Sequence, residues 1–215
     1  MKDASQNRIR TLAEAKALSP ETEAGLSDAL DLLLNCFCSG GKLLICGNGG
    51  SAADAEHIVG ELMKGFLLRR PLSEEKQERF RSLFPEEAEA LISGLQEGIP
   101  AISLSSQTAL MTAFSNDVSA DLVFAQQVLG YGQSGDVLLA ISTSGNSSNI
   151  LKAAMAARVQ GLRVLALTGA DGGKLKPLAD IAVCAPSRET YVIQEYHISF
   201  YHCLCACVED ELFGS

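Results

Sequence analysis

The stretch KLLICGNGGSAADAEHIVGEL, residues 42–62, joins an apolar run, a glycine-bearing turn and a helical pattern in direct succession. Its apolar run, KLLIC, has the length of a buried strand. Four more such runs follow: IPAISLS at 99–105, DVLLAIS at 136–142, LRVLALTG at 162–169 and IAVCAPS at 181–187. Each of the first four runs precedes a polar or glycine-bearing turn and a helical pattern, as in parallel sheets covered on both faces. We therefore predict an α/β fold, a three-layer α/β/α sandwich with a five-stranded parallel sheet.

Helical patterns also stand at the two ends of this alternation. Ser19 and Pro20 form a helix start, a capping hydroxyl before proline at the first helical position, and Gly40 and Gly41 provide the stop. Residues 191–213 are expected to form one long closing helix. The first of these helices has an apolar stripe that should pack on the sheet or on another subunit: Leu26, Ala29, Leu30, Leu33 and Phe37.

Residues 65–98, GFLLRRPLSEEKQERFRSLFPEEAEALISGLQEG, interrupt the alternation with charged, helix-forming sequence. Two short amphipathic helices broken at Pro85 are expected there. The segment is interpreted either as a surface excursion or as a flap near the site or a contact between subunits. With 47% hydrophobic residues the chain can bury one sizeable core, so 1–215 is taken as a single domain with an N-terminal helical segment, 1–40, and this insertion.

Composition argues against several classes of protein. A net charge of −9 without a basic stripe argues against nucleic acid as a partner. The apolar runs are far shorter than the roughly 20 residues of a membrane span, and the first residues mix both charge signs without an apolar centre, so a cytoplasmic location is expected. None of the seven cysteines has C-x-x-C spacing, which favours reduced, buried thiols, including those of Cys203, Cys205 and Cys207 in the last helix.

The loop after KLLIC suits an anion. Glycines at 47, 49 and 50 and the serine at 51 stand between strand and helix, where backbone N–H groups and the helix N-terminus favour negative charge. A tight turn that needs positive φ is the alternative. The loop also matches the dinucleotide fingerprint G-x-G-x-x-A, but no acidic residue ends the next strand to bind ribose hydroxyls.

The loop after DVLLAIS is more informative, because four hydroxyls surround Gly145 directly before a new helix. They belong to Ser142, Thr143, Ser144 and Ser147. Hydroxyls and N–H groups at a helix start suit a phosphate monoester, whereas helix capping by Ser147 would explain only one of them. The loop has no lysine of the Walker type, which argues against hydrolysis of nucleoside triphosphates.

The runs CGNGGSAADAEH, GDVLLAISTSGNSSNI and VIQEYHISFYH resemble, in the same order, the three signature segments of the phosphoheptose isomerases of the SIS (sugar isomerase) class. This resemblance implies a flavodoxin-like SIS fold, a homotetramer with sites near subunit interfaces, and interconversion of sedoheptulose 7-phosphate and glycero-manno-heptose 7-phosphate through an enediol. It implies that the four hydroxyls hold the phosphate. It also implies that four residues line the sugar site: Asn48, Gly49, Gly50 and Ser51.

The same resemblance implies catalytic and zinc positions. The family's histidine and glutamate match His57 and Glu61, four residues apart on one helix face, and its later glutamine and histidine match Gln194 and His202. Together these four imply a Zn²⁺ site, with Glu61 and His202 as proton-transfer residues and Gln194 also contacting substrate. His197 is expected to support helix packing.

A difficulty is that Gln194 and His202 lie about 12 Å apart along a helix axis, whereas a metal ion needs ligand atoms about 2 Å away. If both residues bind one ion, three arrangements are open: both side chains lean inward, the helix starts after Gln194, or different subunits supply the two ligands.

Two departures leave the exact sugar phosphate open. Gln107 stands where the family usually has an aspartate, and Lys64 and Gly65 occupy the region of a family arginine. Other functions compatible with these loops are a non-catalytic SIS scaffold that binds the replication initiator, a sugar-phosphate sensor and a nicotinamide enzyme. The presence of both Glu61 and His202 favours an enzyme.

Overall fold

A sheet of five parallel strands forms the centre of the computed structural model, which describes residues 1–214. The strand order is β2-β1-β3-β4-β5. Every neighbouring pair runs parallel, which confirms the predicted sheet. The strands are β1 (Leu43–Cys46), β2 (Ala101–Ser103), β3 (Val137–Ser142), β4 (Arg163–Thr168) and β5 (Ile181–Cys184).

Helices cover both faces of this sheet. They are α1 (Asp3–Lys16), α2 (Pro20–Cys38), α3 (Gly50–Met63), α4 (Glu74–Leu83), α5 (Ala88–Gly94), α6 (Thr108–Phe114), α7 (Val123–Tyr131), α8 (Ser148–Val159) and α9 (Thr190–Phe213). A turn of π-helix, Ser115–Ser119, and a 3₁₀ turn, Ala120–Leu122, join α6 to α7.

The core has two parts because successive strand residues point to opposite faces. On one face the odd-numbered residues of β1 and β3 pack with α2, α3 and α9; on the other the even-numbered residues pack with α7 and α8. This arrangement is the predicted three-layer sandwich.

A buried carboxylate joins the starts of β1 and β3. Asp136 is 2% exposed, and its side chain accepts hydrogen bonds from the Lys42 backbone N–H (2.9 Å) and the Lys42 ammonium (2.6 Å). It also accepts from the backbone N–H of Gln133 at 2.8 Å. These bonds lie next to the first residue pair of the two strands, Leu43 with Val137. The strands run parallel from there, so both end at the same edge of the sheet.

The α2 helix begins and ends close to the predicted positions. The Ser19 side chain accepts a hydrogen bond from the Thr22 N–H, and the helix ends at Cys38, two residues before Gly40. Its apolar stripe packs against β5 and α9 of the same chain, with Leu30 completely buried. Of the two partners predicted for this stripe, the sheet is therefore the one observed.

The connection from β4 to β5 differs from the prediction. A helix was expected after the fourth strand, but the chain forms only a 3₁₀ turn, Lys176–Leu178. Gly172 and Gly173 have φ of 70° and 54°, a left-handed conformation that excludes a right-handed helix, and Pro177 has no N–H to donate. A Cβ added at Gly173 would collide with the Ser144 carbonyl, so this turn packs closely against the loop after β3.

The insertion forms two short helices, α4 and α5, with Pro85 in the turn between them. Its apolar residues are only partly covered: Leu83 is 62% exposed and Phe84 is 55% exposed. Together with Phe80 they border a cavity of about 270 Å³ on the outer surface.

The closing helix α9 has 24 residues and packs on α1, α2 and α3. Cys203, Cys205 and Cys207 are buried in it with free thiols, as expected for packing residues. Within residues 1–214, none of the helices combines the length and the apolar character that crossing a membrane would require.

Candidate active site

Two loops meet where β1 and β3 end. We call residues 47–51 the glycine loop and residues 142–147 the hydroxyl loop. The Asn48 and Asn149 side-chain amides exchange two hydrogen bonds of 2.9 Å, which join the glycine loop to the start of α8. Sequence reasoning missed Asn149, because a single amide inside a helix start has no spacing that indicates its partner.

The hydroxyl loop is folded so that its serines face one another. The Ser142 and Ser147 hydroxyl oxygens lie 3.1 Å apart, and the Ser144 hydroxyl accepts the Asn146 N–H at 3.1 Å. Ser147 precedes α8 but makes no capping hydrogen bond with its side chain. Helix capping therefore does not account for this serine.

A cavity of about 230 Å³ lies beside the hydroxyl loop and is lined by Thr143 and Ser144. Arg188, on the loop before α9, also lines it and donates to Asp171 at 2.8 Å. This guanidinium was not foreseen, since it is remote in sequence from both loops.

The glycine loop uses its glycines for different reasons. Gly49 has a φ of 56°, which favours glycine, and Gly50 begins α3. A Cβ at Gly50 would collide with the side-chain amide of Gln194, so Gln194 lies against this loop. Ser51 is buried, whereas Asn48 is exposed. Gln107 is half-buried at the residue before α6.

Farther along α3 and α9, three polar side chains form what we call the imidazole cluster: His57, Glu61 and His202. The His57 Nε2 lies 3.2 Å from the Glu61 Oε1 and 3.5 Å from the His202 Nε2. Lys64 donates to the other oxygen of Glu61 at 3.0 Å. The four-residue spacing on α3 thus places His57 and Glu61 in contact, and the packing of α9 adds His202.

His202 and His197 differ in their surroundings. Burial lowers the pKa of His202, and nearby His57 lowers it further, while Glu61 opposes both. Such an imidazole is neutral at pH 7 and has a free nitrogen lone pair. His197 is completely buried, its Nε2 lies 3.1 Å from the Thr168 carbonyl oxygen, and burial lowers its pKa to about 4. His197 therefore remains neutral and supports packing, as predicted.

Gln194 and the imidazole cluster lie apart in this chain. The helix α9 begins at Thr190, before Gln194, which excludes the alternative of a later helix start. The eight-residue separation along α9 places His202 about 12 Å farther along the axis. Among the described residues, no hydrogen bond joins Gln194 to the imidazole cluster. A different cavity, of about 670 Å³, borders His202 between α1 and α9.

The donor atoms of the imidazole cluster suit zinc, which binds imidazole nitrogen and carboxylate oxygen. Ligands about 2 Å from a tetrahedral ion are about 3.3 Å from each other, close to the two distances that His57 makes. In residues 1–214, however, Glu61 and His202 form no ion pair, and no three His, Cys, Asp or Glu side chains together form a complete metal site.

A fully buried ion pair connects the ends of α3 and α9. The Arg70 Nε donates to the Glu209 Oε1 at 2.7 Å, and both side chains are 0% exposed. Arg70 also donates to the backbone carbonyls of Leu62 and Glu61, at 2.6 and 3.2 Å. Because its side chain is fully enclosed, this arginine is not exposed to a ligand in the described structure.

The same glutamate orders the segment after α3. Its carboxylate accepts the backbone N–H groups of Phe66, Leu67 and Leu68 at 2.6–2.9 Å. The ring of Phe66 stacks on His202 with centroids 5.6 Å apart. Glu209 therefore holds an aromatic wall against the imidazole cluster.

Known proteins resemble this chain over nearly its whole length. The family model for the SIS domain matches residues 9–91 and 86–169. A phosphoheptose isomerase of Thiobacillus denitrificans is 41% identical over 206 residues, 94% of this chain and 89% of that protein.

Two solved structures of phosphoheptose isomerases have the same fold. That from Neisseria gonorrhoeae is 35% identical with a TM-score of 0.69, and covers 95% of this chain and 94% of its own. That from Francisella tularensis is 30% identical with a TM-score of 0.71, and covers 97% and 94%.

We expect Glu209→Ala to lower the free energy of unfolding by about 3–5 kcal/mol, because it leaves the charge of Arg70 buried without a partner. Urea denaturation followed by circular dichroism measures this loss. The matched control is Glu89→Ala, whose exposed carboxylate pairs with Arg81 in water and should therefore contribute little to stability. Equal, small losses in both variants would contradict the assignment.

The pH dependence of the free energy of unfolding should also show that the ionised Glu209 carboxylate stabilises the fold. Burial raises the pKa of Glu209, but the N–H groups of Phe66, Leu67 and Leu68 and the Arg70 guanidinium lower it more, so it lies below the ordinary 4.5. A carboxyl group with a lowered folded-state pKa stabilises the fold above its unfolded pKa. The Glu209-dependent part of stability should therefore be complete above pH 4.5 and decrease as the pH falls below it.

Proposed function

Since this chain belongs to the phosphoheptose isomerases of the SIS domain family, and is a sugar-phosphate isomerase, we propose that its substrate is sedoheptulose 7-phosphate. The product is then glycero-manno-heptose 7-phosphate. The observation that most supports catalysis is the contact of His57 with both Glu61 and His202 in a chain that also has the hydroxyl loop. A sugar-phosphate sensor would need only the hydroxyl loop, and a scaffold would not need the imidazole cluster.

The hydroxyl loop binds the phosphate group. Its side chains offer hydroxyl donors at the start of α8, where the helix N-terminus attracts negative charge. The glycine loop lies beside it through the Asn48–Asn149 amide pair, and Gln194 lies against Gly50. These groups suit the hydroxyls of a bound sugar, with the phosphate at one end and the carbonyl at the other.

Glu61 and His202 transfer the protons. Aldose–ketose interconversion moves a proton from the carbon next to the carbonyl to the former carbonyl carbon, through an enediol. One group removes the carbon-bound proton while the other protonates the carbonyl oxygen; the reverse transfers at the neighbouring carbon complete the reaction. While its nitrogen is not bound to a metal ion, His202 suits proton acceptance, because burial lowers its pKa and favours the neutral ring. General acid–base help of this kind contributes about 10² to 10⁴ in rate.

Zn²⁺ is the proposed metal, held by His57, Glu61 and His202 with Gln194 as the fourth ligand. When bound, the ion would polarise the substrate oxygens as a Lewis acid. Because the Gln194 side chain of this chain lies against Gly50, the fourth ligand either turns away from that loop or comes from another subunit.

We also propose a homotetramer with sites near subunit interfaces, because the groups of the proposed site lie apart in one chain. The hydroxyl loop and His202 border different cavities of one chain, and the His57 side chain is 46% exposed. The outer surfaces of α7 and α8 also expose apolar side chains: Leu129, Met155 and Val159. The cytoplasmic location stays a prediction.

Binding and turnover should be separable by mutation. Thr143→Ala and Ser144→Ala should weaken binding of sedoheptulose 7-phosphate far more than that of sedoheptulose, because the hydroxyls contact phosphate. Glu61→Gln and His202→Ala should abolish isomerisation yet bind the phosphorylated sugar. Calorimetric titration and a coupled assay measure the two properties. Full activity of both proton-transfer variants would refute their role, and equal losses for both sugars would refute the phosphate site.

Metal removal tests the zinc proposal. Dialysis against a chelator should lower activity and added Zn²⁺ should restore it, with zinc affinity falling at acid pH because ligation needs neutral imidazoles. His57→Ala should weaken zinc binding, whereas His197→Gln serves as the control histidine. Full activity of protein shown to be free of metal would exclude a catalytic zinc ion.

Mixed oligomers test whether two subunits complete one site. Inactive Ser144→Ala and His202→Ala subunits are co-expressed with different affinity tags, and oligomers that contain both are isolated. If each site joins the hydroxyl loop of one subunit to the imidazole cluster of another, about a quarter of the sites become intact on random mixing. A monomer by light scattering, or hybrids as inactive as their parents, would count against shared sites.

A further inference from the structure

A hydrogen-bonded chain of side chains lies behind the imidazole cluster. The Tyr201 hydroxyl donates to the Asp54 Oδ1 at 3.3 Å and lies 3.0 Å from the His57 Nδ1. Tyr201 is 2% exposed and Asp54 is 8% exposed, so water replaces neither partner readily. His57 turns its other nitrogen, Nε2, toward Glu61 and His202.

The direction of donation along these hydrogen bonds follows from which groups have a proton to donate and which need one. The Oδ2 of Asp54 is buried and has no hydrogen-bond partner among residues 1–214, and Oδ1 accepts the Tyr201 hydroxyl. The Tyr201 proton is therefore the one that the side chain of Asp54 accepts. An unpaired buried carboxylate would be costly, which favours donation toward Asp54. A phenol has an ordinary pKa of about 10, so Tyr201 has a single proton to donate at pH 8.

Having given that proton to Asp54, the Tyr201 oxygen can only accept from His57. The Nδ1 of His57 must then bear a hydrogen, and in a neutral ring this leaves Nε2 with a lone pair. Glu61 competes for the opposite tautomer, since its Oε1 is 3.2 Å from Nε2. Glu61, however, already accepts from Lys64, whereas Asp54 depends on Tyr201.

We propose that Asp54 and Tyr201 are positioning residues that hold His57 in its Nδ1–H tautomer, with the Nε2 lone pair directed into the active site. This role rests on the proposed function, because a lone pair at Nε2 is what a zinc ligand or a proton acceptor there requires. The edge-to-face contact of the His57 and Tyr201 rings, with centroids 5.5 Å apart, fixes the imidazole orientation as well.

Nitrogen NMR of the metal-free protein reads the tautomer directly. The chain has three histidines, so ¹⁵N-histidine labelling gives three pairs of ring nitrogens, and His57→Gln identifies the pair of His57. His197 is an internal reference for the other tautomer, since its Nε2 must donate to the Thr168 carbonyl. At pH 8, above the ordinary imidazole pKa of about 6.5, we expect His57 as Nδ1–H.

Tyr201→Phe removes the hydroxyl and keeps the ring. We expect the His57 signals to shift toward the Nε2–H tautomer while those of His197 stay unchanged. Tyr196→Phe is the matched control, the same change on the same helix at a half-buried tyrosine, and its spectrum should equal that of the unmodified protein. Asp54→Asn tests the chain without altering the tyrosine and should also reduce the Nδ1–H population.

Zinc affinity and turnover give the second readout. Loss of such an outer hydrogen bond typically lowers metal affinity or activity about 10–100-fold, so Tyr201→Phe should show a loss of this size in zinc affinity and in kcat, with little change in KM. An Nε2–H tautomer in the unmodified protein, or a Tyr201→Phe spectrum and zinc affinity unchanged, would overturn the proposal. Failure to turn over sugar phosphates would instead refute the proposed function, because the tautomer is measured without substrate.

Discussion

The buried ion pair of Arg70 and Glu209 is the interaction on which the arrangement of the imidazole cluster depends. It lies where α3 ends, bonds the last carbonyls of that helix, and fastens it to α9. Two opposite charges buried away from solvent must stay in contact, because burying either charge without the other is costly in free energy. The pairing therefore sets how α3 and α9 lie side by side, and with it the distances among His57, Glu61 and His202.

The proposed site of one chain consists of two regions whose side chains differ in chemistry. At the carboxyl edge of the sheet, the hydroxyl loop and the glycine loop offer neutral donors, which suit an anion that must be released after turnover. About two helical turns along α3, the imidazole cluster offers titrating groups. Behind that cluster, Asp54 and Tyr201 connect His57 to the buried interior. The proposed anchoring and the proposed proton transfer would thus depend on separate hydrogen-bond networks.

The departures from the family pattern have a structural setting. Gly65 follows α3 and directly precedes Phe66, whose backbone N–H donates to the Glu209 carboxylate. Arg70 forms its ion pair with the same carboxylate. Arg69 instead donates to the Ser93 carbonyl within the insertion. Both arginines are therefore engaged within the protein, whereas Arg188, which pairs with the exposed Asp171, lies beside the hydroxyl loop. The cationic groups near the site differ from those that the motif comparison suggests.

The sequence by itself determined the strands, the two ligand loops and the pair His57 and Glu61, since apolar runs, turn residues and helical periodicity act over a few neighbouring positions. Its prediction of a helix after β4 was wrong, because positive φ at Gly172 and Gly173 prevailed over the apparent helical pattern. The family resemblance predicted that His202 joins that pair, and the packing of α9 brings it into contact with His57. Only the tertiary structure decided that Gln194 lies elsewhere. It also decided that Asn149, Tyr201 and Arg70 support the site. Their partners are distant in sequence, and such contacts arise from helix packing, which no local pattern encodes.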